Sequence, residues 1–128
     1  MSKYFKYNFK IYYEDTDSGG VVYYANYLKY LERARSEAIY SLGLTNTNLK
    51  KDHDTLIIVK SCNIEYKKPA KFEDELEIIS SILSKTRTSF TMLQIIKKNE
   101  EIISEATVQL VTVNKEGKPI KIPEILNN

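Results

Sequence analysis

Two aspartates and two glycines stand together where a predicted strand gives way to a predicted helix, and these residue types could carry acyl-transfer chemistry. Asp15 and Asp17 precede Gly19 and Gly20, and apolar residues at helical spacing begin a few positions later. The first N–H groups of a helix lack intrahelical partners and lie at the positive end of its dipole. Such donors can hold a developing oxyanion while a carboxylate attacks a carbonyl or activates water. The glycines would let the backbone approach a ligand closely.

The same two aspartates also have a structural interpretation. Aspartates in turns and at helix starts commonly accept hydrogen bonds from nearby backbone N–H groups. Considered by residue type alone, Asp15 and Asp17 fit this structural role better than a catalytic one.

A strand is predicted before this acidic loop and one long helix after it. Aromatic or apolar residues alternate with polar ones over residues 4–13, which is the pattern of a half-buried strand. Apolar residues then recur at helical spacing over about residues 25–42, and Gly43 is well placed to end the helix. The buried stripe of this helix is predicted to comprise Leu28, Leu31, Ala34 or Arg35, Ala38 and Leu42.

The remainder of the chain predicts three or four strands. They fall near residues 56–66, 74–85, 88–98 and 102–113, and Lys98-Asn99-Glu100 has the composition of a hairpin tip. One strand, one long helix and a run of strands is an α+β order, without the βαβ alternation of a parallel sheet. The helix would cover the apolar face of an antiparallel sheet, as in the hotdog fold. The same order of elements also fits a cystatin-like or another α+β fold.

Length and composition predict a single globular domain over residues 1–128. The chain is long enough for one hydrophobic core and too short for two. Its 42% hydrophobic and 28% charged residues are an ordinary globular balance. The 19 basic and 17 acidic residues are interleaved and give a net charge of only +2, so nucleic acid is not an expected partner.

Targeting signals and metal-binding patterns are not found in the sequence. The N-terminal stretch is rich in lysine and no apolar run approaches the roughly 20 residues that span a bilayer, so we expect a cytoplasmic protein without a membrane span. The single cysteine, Cys62, is expected to pack within a strand. The only histidine, His53, is expected at the surface, and no Cys/His cluster has zinc spacing, so neither a metal nor another cofactor is predicted.

Residues 12–39, YYEDTDSGGVVYYANYLKYLERARSEAI, resemble the signature of the 4-hydroxybenzoyl-CoA thioesterase family and, within it, the Tol-Pal-associated acyl-CoA thioesterase subgroup. Residues 64–76 resemble the family's second strand, its Pro-Ala turn and the following acidic strand entry, and residues 86–90 resemble the loop before the fourth strand. The densest part, in unbroken register, is Asp15-Thr16-Asp17, Gly20, Val22-Tyr23, Asn26-Tyr27 and Glu32-Arg33-Ala34-Arg35. The resemblance covers nearly the whole chain and implies a hotdog fold that hydrolyses acyl-CoA thioesters.

The resemblance also assigns catalytic roles. Asp17 matches the catalytic carboxylate, acting as a nucleophile through an acyl-enzyme anhydride or as the base for water. The backbone N–H of Tyr24 would polarise the thioester carbonyl. The Tol-Pal-associated subgroup generally has His at this position, whereas 4-hydroxybenzoyl-CoA thioesterases can carry Tyr, so Tyr24 bears on the subgroup and the substrate. Asp15 is expected to organise the loop, and Glu32 is the rival base unless it pairs with Arg35.

Substrate contacts and assembly follow from the same resemblance. Arg87, Thr88 and Ser89 would meet the phosphates of coenzyme A, and the stretch at residues 60–62 would line the channel. The full set of predicted substrate-binding residues is Gly20, Val22, Tyr27, Lys60, Ser61, Cys62, Arg87, Thr88 and Ser89. The tyrosines near the helix start are expected to serve packing and a subunit interface. A homo-oligomer, a dimer or a homotetramer, is implied, with the site between subunits.

The prediction for function is hydrolysis of an acyl-CoA, short-chain aliphatic or aromatic, to the free acid and coenzyme A. One alternative is a module that binds acyl-CoA or acyl carrier protein without turnover, because Tyr24 replaces the usual His. Another is an interaction scaffold in an envelope-associated assembly.

Overall fold

The computed structural model describes residues 4–127, which form five strands, two α-helices and two 3-10 helices. The strands are β1 (Tyr4–Lys10), β2 (Leu56–Tyr66), β3 (Glu75–Lys85), β4 (Ser89–Lys98) and β5 (Glu101–Val113). The α-helices are α1 (Asn26–Tyr40) and α2 (Asn46–His53), and the 3-10 helices are Tyr13–Asp15 and Glu124–Asn127. Neither α-helix of this described part is long and apolar enough to cross a membrane.

The five strands form one antiparallel sheet in the order β1-β3-β4-β5-β2. Among residues 4–127, the two outer strands of the sheet, β1 and β2, therefore pair with a neighbour on one side only. The predicted hairpin tip at Lys98-Asn99-Glu100 is confirmed, because Lys98 pairs with Glu101 and Asn99 takes a positive φ of 55°.

The core lies between α1 and one face of the sheet. Alternate residues of β3, β4 and β5 are buried, as the two-residue period of a strand requires. Facing them, α1 buries Tyr27, Tyr30, Leu31, Ala34, Ala38 and Ile39. A five-stranded antiparallel sheet with a helix packed across one face is the α+β hotdog architecture, and the prediction of that fold is confirmed.

A buried amide attaches α1 to the middle of the sheet. Gln94 of β4 is fully buried, and its Nε2 donates to the carbonyl of Leu31 at 3.1 Å and to Ser80 Oγ at 3.0 Å. Its Oε1 accepts from Arg35 Nη1 at 2.9 Å. A buried amide needs hydrogen-bond partners. These three hydrogen bonds therefore hold α1 in place on the sheet, in addition to the apolar packing between them.

The prediction of a single helix is corrected, since a second helix, α2, follows the first. Its N-cap is Thr45, whose Oγ1 accepts from the Asn48 N–H at 3.0 Å, and Leu49 is its one buried residue. A helix that buries a single side chain gives no apolar stripe for a sequence to show. His53, the last residue of α2, is exposed as predicted.

Two further predictions differ from the structure, namely the end of β1 and the set of buried residues on α1. β1 ends at Lys10, because the chain turns into a 3-10 helix that leaves Tyr13 79% exposed. In α1 the predicted core residue Leu28 is 49% exposed, whereas Tyr27 and Tyr30 are buried instead. The helix thus presents aromatic rings to the sheet where the aliphatic pattern predicted leucine.

The predicted strand placement of Cys62 is confirmed, whereas its predicted packing role is wrong. Cys62 lies on β2 opposite Val108, and directly opposed residues of antiparallel strands share a face. Cys62 therefore points to the helix side of the sheet, yet it is exposed. The reason is that α1 lies over other strands, so the middle of β2 is uncovered on this side, although Ile57 and Ile64 nearer its ends are partly buried against the core.

Ile78 and Leu83 provide a matched test of this core, because both lie on β3 and only Ile78 is buried. We expect Ile78→Ala to lower the free energy of unfolding by about 2–5 kcal/mol, since it leaves a cavity under α1. Leu83→Ala, at an exposed position, should change it by about 0.5 kcal/mol or less. Urea unfolding followed by circular dichroism measures both, and equal effects would contradict the described packing.

Candidate active site

Asp17 lies at the tip of a tight hairpin that follows the first 3-10 helix. Thr16 bridges to Val22, the Asp17 N–H donates to the Val21 carbonyl at 2.9 Å, and the Gly20 N–H donates to the Asp17 carbonyl at 3.0 Å. Gly20 has a φ of 79°, a left-handed conformation that favours glycine. The hairpin therefore holds Asp17 in one place on an exposed turn.

The Asp17 carboxylate has one oxygen held and one oxygen free. Oδ1 accepts from the Gly19 N–H at 2.8 Å, whereas no donor among residues 4–127 bonds to Oδ2. A Cβ on Gly19 would approach Oδ1 to 3.3 Å, so this position favours glycine. Oδ1 therefore has the turn-forming role that the residue type suggested. Oδ2 is left available as a nucleophile or a base.

An open cavity of about 490 Å³ adjoins this carboxylate. Aromatic side chains form part of its wall, and the Tyr13 and Phe72 rings lie with their centroids 5.2 Å apart. Its lining residues are Tyr13, Thr16, Asp17, Ser18, Gly20 and Phe72. The site is thus a polar, glycine-containing floor beside an apolar wall.

Asp15 organises the loop, as predicted. Its Oδ2 accepts from the Tyr12 N–H at 2.8 Å. Its carbonyl accepts from the Tyr23 N–H at 3.2 Å and from Asn26 Nδ2 at 3.0 Å. Burial, and then the nearby Asp15 carboxylate, raises the pKa of the Tyr30 phenol. Asp15 is therefore committed to joining the loop to the start of α1.

Two backbone N–H groups just before α1, those of Tyr24 and of the N-cap residue Ala25, are unpaired in the described part of the chain. Among residues 4–127, no acceptor bonds to the backbone N–H of Tyr24 or Ala25. The Tyr24 carbonyl, by contrast, accepts from the Tyr27 N–H at 3.2 Å and from the Tyr66 hydroxyl at 3.2 Å. Free N–H groups at the positive end of a helix dipole suit a developing negative charge.

A short stretch of chain after β2 holds the hairpin and the helix together. The Val22 N–H donates to the Ala70 carbonyl at 2.8 Å, and the Phe72 N–H donates to the Gly20 carbonyl at 3.3 Å. The Ala70 N–H donates to the Tyr27 hydroxyl at 3.1 Å. Sequence reasoning missed Ala70 and Tyr66 as site-supporting residues, although the quoted match at residues 64–76 includes both.

Of the three predicted substrate-binding residues closest to Asp17 in the sequence, one is exposed and two are buried. Gly20 is exposed and lines the cavity beside the carboxylate. Val22 and Tyr27 are buried, at 6% and 3% exposure, and belong to the core cluster. In one chain, Val22 and Tyr27 therefore pack in the core behind the candidate site and are not accessible to a substrate.

The other predicted contacts lie away from Asp17 within one chain. Lys60, Ser61 and Cys62 are exposed in the middle of edge strand β2. Arg87 and Thr88 follow β3 and Ser89 begins β4, whereas the Asp17 hairpin follows β1 at the opposite end of β3. The 11 residues of β3 span roughly 30 Å. Within one chain, the residues at 87–89 therefore do not lie near Asp17.

Comparison with known proteins identifies the family. The model of the Thioesterase superfamily matches residues 19–104. This chain belongs to the thioesterase superfamily. A Haemophilus influenzae relative named acyl-CoA thioesterase YbgC is 34% identical over 121 residues, 94% of this chain and 89% of that protein. An Escherichia coli relative named acyl-CoA thioester hydrolase YbgC is 35% identical over 122 residues, 94% of this chain and 90% of that protein.

A solved structure supports the fold of this superfamily member. The 4-hydroxybenzoyl-CoA thioesterase from Pseudomonas sp. strain CBS-3 superposes with a TM-score of 0.90, at 20% identity, and covers 98% of each chain. At that identity the likeness concerns the fold. The predicted family is confirmed at the level of the superfamily.

Glu32, the rival base in this thioesterase-superfamily chain, lines a different cavity. That cavity, of about 580 Å³, lies beside the second half of α1 and includes Glu32, Arg35 and Ser36 in its wall. Glu32 Oε2 accepts from Ser36 Oγ at 2.7 Å, and Arg35 donates to Gln94, so the expected Glu32–Arg35 ion pair does not form. Burial lowers the pKa of the Arg35 guanidinium.

Tyr27→Phe tests the link between α1 and the residue 70 stretch. We expect it to lower the free energy of unfolding by about 1–3 kcal/mol, because the Ala70 N–H would be left buried without an acceptor. The matched control is Tyr23→Phe, an exposed tyrosine whose hydroxyl has no protein partner among residues 4–127. Chemical unfolding of both variants gives the comparison, and a Tyr27→Phe protein as stable as the control would refute the link.

Proposed function

We propose that residues 1–128 act as a single domain that hydrolyses acyl-CoA thioesters to the free acid and coenzyme A. The observation that carries the proposal is the Asp17 carboxylate on a hairpin bonded to the start of α1. Within residues 4–127, its Oδ1 is held, its Oδ2 has no donor, and the Tyr24 and Ala25 N–H groups have no acceptor. The chain's superfamily and the names of its YbgC relatives support the same reaction.

In this proposal Asp17 Oδ2 acts on the thioester carbonyl carbon or on water. As a nucleophile it forms an anhydride with the acyl group and expels the thiolate of coenzyme A, and water then releases the acid. As a base it takes a proton from water, which adds to the carbonyl and expels the same thiolate. In both routes the Tyr24 N–H holds the carbonyl oxygen as it gains charge.

The proposed apparatus uses a carboxylate and backbone donors, without a metal ion or an organic cofactor. A thiolate leaves readily and needs little help from a general acid, so these groups suffice for a thioester. A short-chain aliphatic or an aromatic acyl group suits the cavity of about 490 Å³ with Tyr13 and Phe72 in its wall.

A homo-oligomer, dimer or tetramer, is part of the proposal. Strand β2 is an open edge, and Val59, Cys62 and Tyr66 are exposed on its helix side. Antiparallel pairing of two β2 strands would cover these residues. It would also bring the Arg87 end of a second chain toward Asp17 of the first, which one chain does not achieve.

The cytoplasm is the proposed compartment. Cys62 is a single and exposed thiol, and a reducing compartment keeps such a thiol free. The two alternatives, a binding module without turnover and an envelope-associated scaffold, are not favoured, because the YbgC relatives are named as hydrolases.

Release of thiol from acyl-CoA tests the reaction. Wild-type protein should release thiol from at least one of a short aliphatic, a long aliphatic and a 4-hydroxybenzoyl-CoA ester. Asp17→Asn should lower kcat/KM by about 100-fold or more, because the amide is neither a nucleophile nor a base. Asp52→Asn, at an exposed position on α2, is the control and should match wild type. Turnover indifferent to Asp17→Asn would instead favour Glu32.

The backbone role of residue 24 predicts that its side chain is replaceable. Tyr24→Ala and Tyr24→His keep the N–H, so kcat/KM should remain within about fivefold of wild type, far less than the loss of an oxyanion donor. Steady-state thiol release on the best substrate measures this. A loss of 100-fold in both variants would assign the role to the phenol ring.

The open β2 edge predicts a change of assembly with one substitution. Val59→Lys places a charge on an apolar edge, so we expect a lower molecular mass in sedimentation equilibrium than for wild type. Leu83→Lys, an exposed position on β3, should leave the mass unchanged. A wild-type protein that sediments as a monomer would rule out the proposed assembly.

A further inference from the structure

Tyr66, the last residue of β2, reaches across to the start of α1. Its ring packs edge-on against the Tyr27 ring, with centroids 5.0 Å apart at 89°, and against the Tyr24 ring at 6.1 Å and 84°. Its hydroxyl donates to the Tyr24 carbonyl at 3.2 Å. Tyr66 thus touches the residue whose N–H is left free at the helix start.

The fold does not need this hydrogen bond. The Tyr24 carbonyl already accepts from the Tyr27 N–H at 3.2 Å. Tyr66 is 44% exposed, so water could satisfy its hydroxyl if the bond were absent. A neutral bond between exposed groups contributes little net stability. A bond that folding does not require, placed at the site, points to a role in the reaction.

Two peptide planes meet at Tyr24, and each is held from its carbonyl side. The Tyr23 carbonyl accepts from the Asn26 N–H at 2.9 Å. Because a trans peptide directs its C=O and N–H oppositely, this bond aims the Tyr24 N–H away from the helix. The Tyr66 hydroxyl fixes the next plane. Together they leave Tyr24 little freedom to rotate.

We propose that Tyr66 is a positioning residue, whose hydroxyl holds the first turn of α1 so that the free Tyr24 N–H stays aimed at the thioester carbonyl. The inference rests on the hydrolysis proposed above. An oxyanion donor is effective because it is fixed before charge develops, and small misplacements of such groups are costly in rate. Burial raises the pKa of the Tyr66 phenol, so the hydroxyl keeps its proton at neutral pH.

Tyr66→Phe removes the hydroxyl and keeps the ring. We expect kcat to fall by about tenfold with KM within about twofold, because the donor acts on the transition state. The melting temperature should stay within about 3 °C of wild type. Tyr23→Phe is the matched control, since its exposed ring lies 5.0 Å from that of Tyr24 and its hydroxyl has no partner among residues 4–127.

Binding of a thioether S-alkyl-CoA distinguishes a loss of donor positioning from a general loss of substrate binding. It has no carbonyl for the Tyr24 N–H to meet, so its Kd, measured by calorimetry, should be the same for wild type and Tyr66→Phe. Wild-type kcat in Tyr66→Phe would overturn the inference while leaving hydrolysis intact. Equal losses in kcat and thioether affinity, or an equal loss in Tyr23→Phe, would also overturn it. A wild-type protein without turnover would refute the proposed hydrolysis itself.

Discussion

The peptide groups of Ala70 are the constraint on which the site depends. Ala70 is fully buried, and buried backbone groups must find partners. Its carbonyl accepts from the Val22 N–H of the Asp17 hairpin, and its N–H donates to the Tyr27 hydroxyl of α1. One residue therefore fixes the hairpin relative to the helix.

The length of the sheet separates two groups of proposed site residues within one chain. The Asp17 hairpin follows one end of β3 and Arg87 follows the other. Strand β2 forms the edge of the sheet opposite β1, and Val59, Cys62 and Tyr66 are exposed on its helix side. The cavity of about 580 Å³ that includes Glu32 has Val59 in its wall. These features support the proposed homo-oligomer, in which a second copy would cover the exposed apolar residues of β2.

The periodicity of apolar residues predicted those strands and helices that bury one regular face. Alternation of apolar residues predicted β1, and helical spacing with Gly43 predicted α1 to within two residues at its C-terminal end. The α2 helix escaped prediction because it buries only Leu49. The bonds that Tyr66 and Ala70 make to α1 join residues about 40 positions apart, and no local period reports such contacts.

The catalytic assignment depended on more than residue type. Asp15 and Asp17 are alike in sequence, and each accepts a backbone hydrogen bond. What distinguishes them is that Asp15 also binds the helix start through its carbonyl, whereas Asp17 stands at the exposed tip beside a cavity. The resemblance to a known family predicted Asp17 as the catalytic carboxylate, and its exposed position beside a cavity supports that proposal.

The most direct measurement is a crystal structure of Asp17→Asn with a slowly hydrolysed acyl-CoA bound. We expect the thioester carbonyl carbon to lie within about 3.5 Å of the residue 17 side chain. We also expect the carbonyl oxygen to lie about 2.7–3.1 Å from the Tyr24 nitrogen. A thioester carbonyl bound beside Glu32, in the larger cavity of the same chain and away from both groups, would contradict this expectation.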